Sequence, residues 1–290
     1  MGDLYAIATA ICWSSAVIFF DISSKKFNAI HLNAIKNFIG ITGFLATIFL
    51  FSIPAPNFSG NDIFILFVSG ILGIFVADLL FLESLNKLGS SISALVSTIY
   101  APAIFIIAFI LFNETISIKS YFGGTLVIIG IVITVYKNTI DINKKDLYVG
   151  ISFGILAQIF TAYSVLVIRP ILYEFSILYI ALYRFSFGLL ATISISFLKY
   201  GVTNLLIIYK TGLSNYYVLM GSFLGTYLSV VLWLAGFKFT LAGRAAIYNQ
   251  LSTIIIVILA RIFLKEPLNK KKIIGVILAI IGAIAVSLPN

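Results

Sequence analysis

Residues 90–136 read SSISALVSTIYAPAIFIIAFILF, NETISIK, SYFGGTLVIIGIVITVY, and residues 242–288 read AGRAAIYNQLSTIIIVILARIFL, KEPLNKKK, IIGVILAIIGAIAVSL. Laid over one another at an offset of 152 residues, Ala94 falls on Ala246, Glu114 on Glu266, Lys119 on Lys271, Gly123 on Gly275 and Gly130 on Gly282. Each stretch is two apolar runs joined by a short polar turn. A bilayer-crossing helix needs about 20 mostly apolar residues, and only helices or closed barrels satisfy the backbone in lipid. These runs are continuous and lack the alternation of barrel strands, so the spacing predicts paired transmembrane helices, present twice.

Working outward, runs of the same kind occupy residues 4–22, 33–53, 63–83, 90–112 and 120–136, then 147–168, 176–198, 216–237, 242–264 and 273–288. The match extends to Gly73 on Gly225. Earlier helices need a smaller offset, with Leu4-Tyr5 resembling Leu147-Tyr148 and Asn37-Phe38 resembling Arg184-Phe185. The expected fold is therefore an all-α membrane protein of ten transmembrane helices, built from residues 1–140 and 146–290 as two five-helix repeats. Five is odd, so the second repeat enters from the opposite side and the repeats are inverted. Secondary transporters are often built this way, with the substrate near mid-membrane. The alternative is a duplicated bundle that transports nothing.

Composition agrees. Of 290 residues 61% are apolar and 10% charged, against about 25% charged in a soluble domain. One His (His31) and one Cys (Cys12) cannot form a His/Cys metal site, a redox pair or a disulfide framework, so no metal and no cofactor are expected. No GxxxxGK[ST] or strand-linked GxGxxG occurs, which argues against nucleotide-driven pumping. The net charge of +9 lies in short loops, where anionic lipid, not nucleic acid, is the expected partner. The N-terminus lacks a basic region and a small-residue cleavage pattern, and is read as an uncleaved first helix. The location implied is multi-pass in the cell membrane.

Trp13-Ser14 midway along helix 1, Tyr100-Ala101-Pro102 in helix 4, Asn113-Glu114-Thr115-Ile116 before a helix with Gly123, Gly124 and Gly130, and Lys265-Glu266-Pro267-Leu268 before Gly275 and Gly282 together resemble the drug/metabolite transporter superfamily, specifically its EamA-type members. The resemblance covers essentially the whole chain and is carried by architecture more than by any one motif. Ser14 stands where the family often has Gly, Ala157-Gln158 where a second Trp motif would fall, and Ile254 where Pro102 would repeat. The resemblance implies a ten-helix transporter with both termini in the cytoplasm. The positive-inside count points the other way: twelve Lys and Arg follow helices 1, 3, 5, 7 and 9, and four follow the even helices.

Charge within hydrocarbon costs about 2.5–3.5 kcal/mol per residue on insertion scales, so Asp78 in helix 3, Lys36 in helix 2 and Arg184 in helix 7 are candidates for function. Asp78 could carry a coupling proton; alternatively it bridges to Lys36 or Arg184 and only fixes packing. Asp21, Glu83 and Arg261 fall near span ends and are expected to snorkel to the interface. Ser93, Ser97 and Tyr100 share one helical face, as do Ala245, Asn249 and Ser252 152 residues on. With Gln158, Thr161 and Trp13, and with Tyr227 and Tyr248 nearby, they could line a substrate cavity; equally, small polar residues let helices approach closely. Glu114 and Glu266 read as acids at helix N-termini.

The leading function is a secondary transporter, an exporter of small organic metabolites such as amino acids or amphipathic drug-like solutes, working by alternating access. A flippase, or flippase component, for an amphipathic lipid carrier is the alternative. An intramembrane enzyme needs a nucleophile–base pair or metal ligands, and one His with no HExxH or paired intramembrane acids argues against it. Two complete repeats leave no need for a partner chain, consistent with a monomer.

Overall fold

The computed structural model describes residues 2–112, 118–135, 142–239 and 242–287, and within them the side chains of 118–120, 134–135, 203–205, 242–247 and 286–287 lie outside the description. Every regular element among the described residues is helical. The helices are α1 (Gly2–Ser24), α2 (Ala29–Leu50), α3 (Gly60–Leu88), α4 (Ser90–Phe112), α5 (Ile118–Val135), α6 (Lys144–Val167), the short α7 (Arg169–Glu174), α8 (Ile177–Leu213), α9 (Tyr216–Phe239), α10 (Ala242–Phe263) and α11 (Lys270–Ser287). Among the described residues seven are long and apolar enough to cross a bilayer: α1, α2, α3, α4, α6, α9 and the Ile177–Val202 part of α8. Shorter apolar stretches, Tyr121–Ile133 and Tyr248–Phe263, lie in α5 and α10. Polar caps set several helix starts: Asn28 accepts from the His31 N–H, Ser59 and Asp62 form a capping box, and Asn215 accepts from Tyr217 and Val218.

The surface is apolar. Phe49, Leu50, Phe64, Phe122, Leu190 and Leu198 face outward, while Ser14, Asn33, Asn37, Ser69 and Ser164 are buried. Lipid offers no hydrophobic gain for packing one helix on another, so small residues and interhelical hydrogen bonds hold the bundle. The repeated glycines supply the closest approach. A Cβ on Gly130 would stand 2.5 Å from the Gly275 carbonyl oxygen, and one on Gly282 2.5 Å from that of Gly123. α5 and α11 therefore cross antiparallel, backbone on backbone, through the four glycines matched in the sequence.

α3 and α9 share a second feature. Both widen into π-helical turns, over Gly70–Ala77 and Phe223–Leu228. Asn33 donates to the Ile74 carbonyl within the first of these turns. α3 lies against α6 and α8, through Gly73 on Ser164 and Gly70 on the Arg184 backbone; α9 lies against α1 and α2, through Gly225 on Ala16 and Thr226 on Gly40. Such turns recur at functional positions in helices.

Two expectations are corrected. Residues 199–215 read as a loop, but α8 continues to Leu213 after a break at Gly201 (φ 75°, ψ 169°). Ile208 and Tyr209 pack on the core, and Gly212 lies against Ile35, while Val202, Leu206 and Ile207 stay exposed. This segment has the two-faced character of an interfacial helix. Asp21 does not snorkel: it is 3% exposed and accepts from the Ser90 N–H and Oγ at 3.0 and 2.7 Å. A position near a helix end gives depth but not lateral neighbours, and here the neighbour is the start of α4.

Candidate functional site

A cavity of about 190 Å³ lies among α1, α2, α3, α4, α6, α8, α9 and α10. Its lining residues fall near the middle of their helices: Trp13 in α1, Gly73 and Asp78 in α3, Ser97 and Tyr100 in α4, Gln158 and Thr161 in α6, Ser229 in α9 and Asn249 in α10. Aromatic walls come from Trp13, Phe81, Phe185 and Trp233. Hydroxyls and amides from Ser97, Gln158, Asn249 and Ser252 complete it, the arrangement of small-molecule sites generally. The volume is below the roughly 300–1,000 Å³ of drug-sized sites and fits a small solute.

Three charges meet this space. Lys36 Nζ lies 2.5 Å from Asp78 Oδ2 and also donates to Asn37 Oδ1 at 2.9 Å. Lys36 further sits 5.8 Å from the centre of the Phe185 ring, a cation–π distance. Arg184 is 1% exposed. Its Nε donates to Ser69 Oγ at 2.8 Å and its Nη2 to Ser164 Oγ at 3.3 Å, but it makes no hydrogen bond to Asp78. Of the alternatives open for Asp78, the ion pair with Lys36 is present; whether Asp78 also carries a proton is a separate property.

Of the other sequence candidates, Trp13, Ser97, Tyr100, Thr161, Gln158, Asn249 and Ser252 all line the cavity. Gln158 Nε2 also donates to Ser97 Oγ at 3.1 Å, so this amide bridges α6 to α4 as well as lining. Tyr227 and Tyr248 are not among the lining residues. The Tyr227 hydroxyl pairs with Thr47 Oγ1 at 2.6 Å, and its ring lies against Phe44 and Phe223. Ser93 is buried away from the cavity, and the Ala245 side chain lies outside the description. Sequence reasoning missed Thr9, Ser164, Thr226, Ser229, Trp233 and Gln250 on the walls, and Ser69 behind Arg184. Contacts between different helices carry no signal in a single sequence.

At one end of the bundle, Glu266 acts differently from its expected role. Asn269 accepts from the Lys272 N–H and caps α11. The Glu266 carboxylate instead reaches the start of α4, accepting from Ser90 N–H at 2.8 Å and Ser91 N–H at 3.3 Å, with Lys272 Nζ at 3.1 Å. Asp21, held by Lys25 at 3.1 Å, meets the same N-terminus. Two carboxylates at one helix start match the positive end of its dipole. Glu114 lies outside the described residues.

The EamA-like transporter family matches residues 1–136 and, a second time, residues 148–288. The chain belongs to the EamA-like transporter family. As an EamA-like protein it is a multi-pass integral membrane protein and a transporter rather than an enzyme. It is 25% identical to the uncharacterized transporter YetK of Bacillus subtilis strain 168 over 297 aligned positions, covering 99% of this chain and 87% of that one. It is 20% identical to an uncharacterized transporter of Archaeoglobus fulgidus, covering 99% and 98%. A solved crystal structure shares the fold with a TM-score of 0.69 at 13% identity, over 98% of this chain and 95% of that one.

Proposed function

We propose that this EamA-like protein is a secondary transporter that exports small organic metabolites by alternating access. The working unit is ten spans in two inverted five-helix halves, 1–140 and 146–290, which rock around the cavity between them. The observation that carries the reading is the cavity itself: near mid-height, walled by residues of both halves, and holding the buried cations Lys36 and Arg184 with the partly exposed carboxylate of Asp78. The antiparallel glycine crossing of α5 on α11 and the twofold family match support inversion. So does the placement of the π-helical turns in α3 and α9, each helix packed on the first two long helices of the opposite half. A lipid-carrier flippase fits less well, because a cavity of about 190 Å³ leaves little room for a headgroup.

With no nucleotide motif in the sequence, the energy comes from a solute or proton gradient, with Asp78 as the proton site. The test is flux of a labelled panel of amino acids, organic acids and amines in proteoliposomes, with and without a pH gradient, for wild type and Asp78→Asn. Saturable flux driven by the gradient in wild type, with only gradient-independent exchange in the variant, is expected. Gradient-driven flux unchanged in Asp78→Asn removes Asp78 from coupling, and no flux of any solute overturns the transporter reading.

A further inference from the structure

Arg184 is the largest side chain buried below 2% exposure, and it lines the cavity. Two of its nitrogens are held by Ser69 and Ser164. The third, Nη1, is buried and has no hydrogen-bond partner among the described residues. Buried polar groups are nearly always paired, and a buried charge left unpaired is costly. Among the described residues the one carboxylate lining the cavity, Asp78, is engaged by Lys36 at 2.5 Å. Lys36, Arg184 and Asp78 are the only ionisable Lys, Arg, Asp or Glu groups on the cavity wall as described. With Asp78 ionised, the cavity as described therefore carries one net positive charge, and its guanidinium is held by two serines with Nη1 still unpaired.

We infer that the transported solute is a small organic monoanion whose carboxylate is bound by the Arg184 guanidinium, with its apolar body against Trp13, Phe81 and Trp233. This rests on the transporter reading above and names its solute class. The physical reasons are three. An anion neutralises the cavity, whereas an organic cation would add a third positive charge to a low-dielectric space. A guanidinium–carboxylate hydrogen bond is charge-assisted and roughly twice as strong as a neutral one, so it discriminates acid from amide. Ser69 and Ser164 fix the guanidinium plane, so little side-chain entropy is lost when the anion binds. Gln158 and Asn249 add amide groups on the same wall for any second polar group on the solute.

The test is equilibrium binding of a matched set to the purified full chain in phosphatidylcholine nanodiscs at pH 7: labelled 3-methylbutanoate, 3-methylbutanamide, 3-methylbutan-1-amine and leucine. Arg184→Gln and Arg184→Lys are measured beside wild type. The expected result is saturable binding of the acid, on the order of tenfold or more tighter than the amide and the amine. Leucine, whose ammonium finds Asp78 already engaged, should bind more weakly than the acid. Arg184→Gln should lose the acid's advantage over the amide, and Arg184→Lys should restore part of it. If neither variant folds, the wild-type order decides alone. Amide or amine binding as tightly as the acid overturns the inference, as does the absence of saturable acid binding. Counterflow in proteoliposomes separates this from the transporter reading. Flux of leucine or the amine without the acid keeps transport and rejects the solute class; acid binding without flux of any solute keeps the site and rejects transport.

Discussion

Replacing Asp78 with Asn leaves Lys36 charged and buried without its counter-ion. Lys36 is 5% exposed, and its Nζ sits 2.5 Å from the carboxylate. Breaking a buried ion pair from one side costs about 3–5 kcal/mol, most of it the penalty of the orphaned charge. Two features place this case at the low end. The Asp78 side chain is 23% exposed, and Lys36 keeps its 2.9 Å bond to Asn37. The loss is then about 3 kcal/mol, and at roughly 2–4 °C per kcal/mol for chains of 150–250 residues the apparent Tm falls on the order of 6–12 °C. Lys36→Met combined with Asp78→Asn removes both charges and should recover most of the loss, because no uncompensated charge remains. The assay is thermal unfolding in nanodiscs, followed by tryptophan fluorescence. An unchanged Tm in Asp78→Asn, or a double variant as unstable as the two single losses added together, would show that the pair contributes no coupling energy and refute the reasoning.

Gly282→Val places a side chain against the Gly123 carbonyl, where a Cβ alone would stand at 2.5 Å; an overpacking loss of about 1–3 kcal/mol is expected, read as a lower apparent Tm, with Gly282→Ala less severe. Glu266→Gln weakens the acceptor at the start of α4 and leaves Lys272 with a neutral partner, so amide exchange at Ser91 and the residues after it should quicken while the unfolding of α8 is unchanged. Gly201→Ala forces a side chain into φ 75°, ψ 169°, a region nearly restricted to glycine, at a cost of about 1–3 kcal/mol; altered proteolysis of residues 202–213 reports whether that segment reorients instead.

The helix positions were readable from their apolar runs, although the runs begin several residues inside the caps that start helices α2 and α3. Residues 90–112 carry an unbroken apolar run, and Asn28, Ser59 and Asn215 cap their helices by local chemistry. The same holds for Ser97 and Tyr100 in α4 and for Asn249 and Ser252 in α10, each pair three residues apart on its helix and all four on the cavity wall. Tyr227 escaped that logic because it lies inside a π-helical turn, which shifts the rotational register that a 3.6-residue period assumes. The partners of Asp21, Arg184 and Glu266 were not legible, since Ser90, Ser69 and Ser164 meet them across helices. Residues 202–213 were missed for a local reason: the break at Gly201 interrupts the apolar run, and its continuation is two-faced rather than apolar throughout.

The most direct test of the account is the accessibility of Ser97→Cys, a cavity position, in a Cys12→Ala background in oriented vesicles. A membrane-impermeant methanethiosulfonate reagent is applied from one face and then, in separate samples, from the other, with and without excess solute. Alternating access predicts modification from both faces, slowed by solute, with one face favoured as the other is suppressed. Modification from a single face under every condition would contradict it.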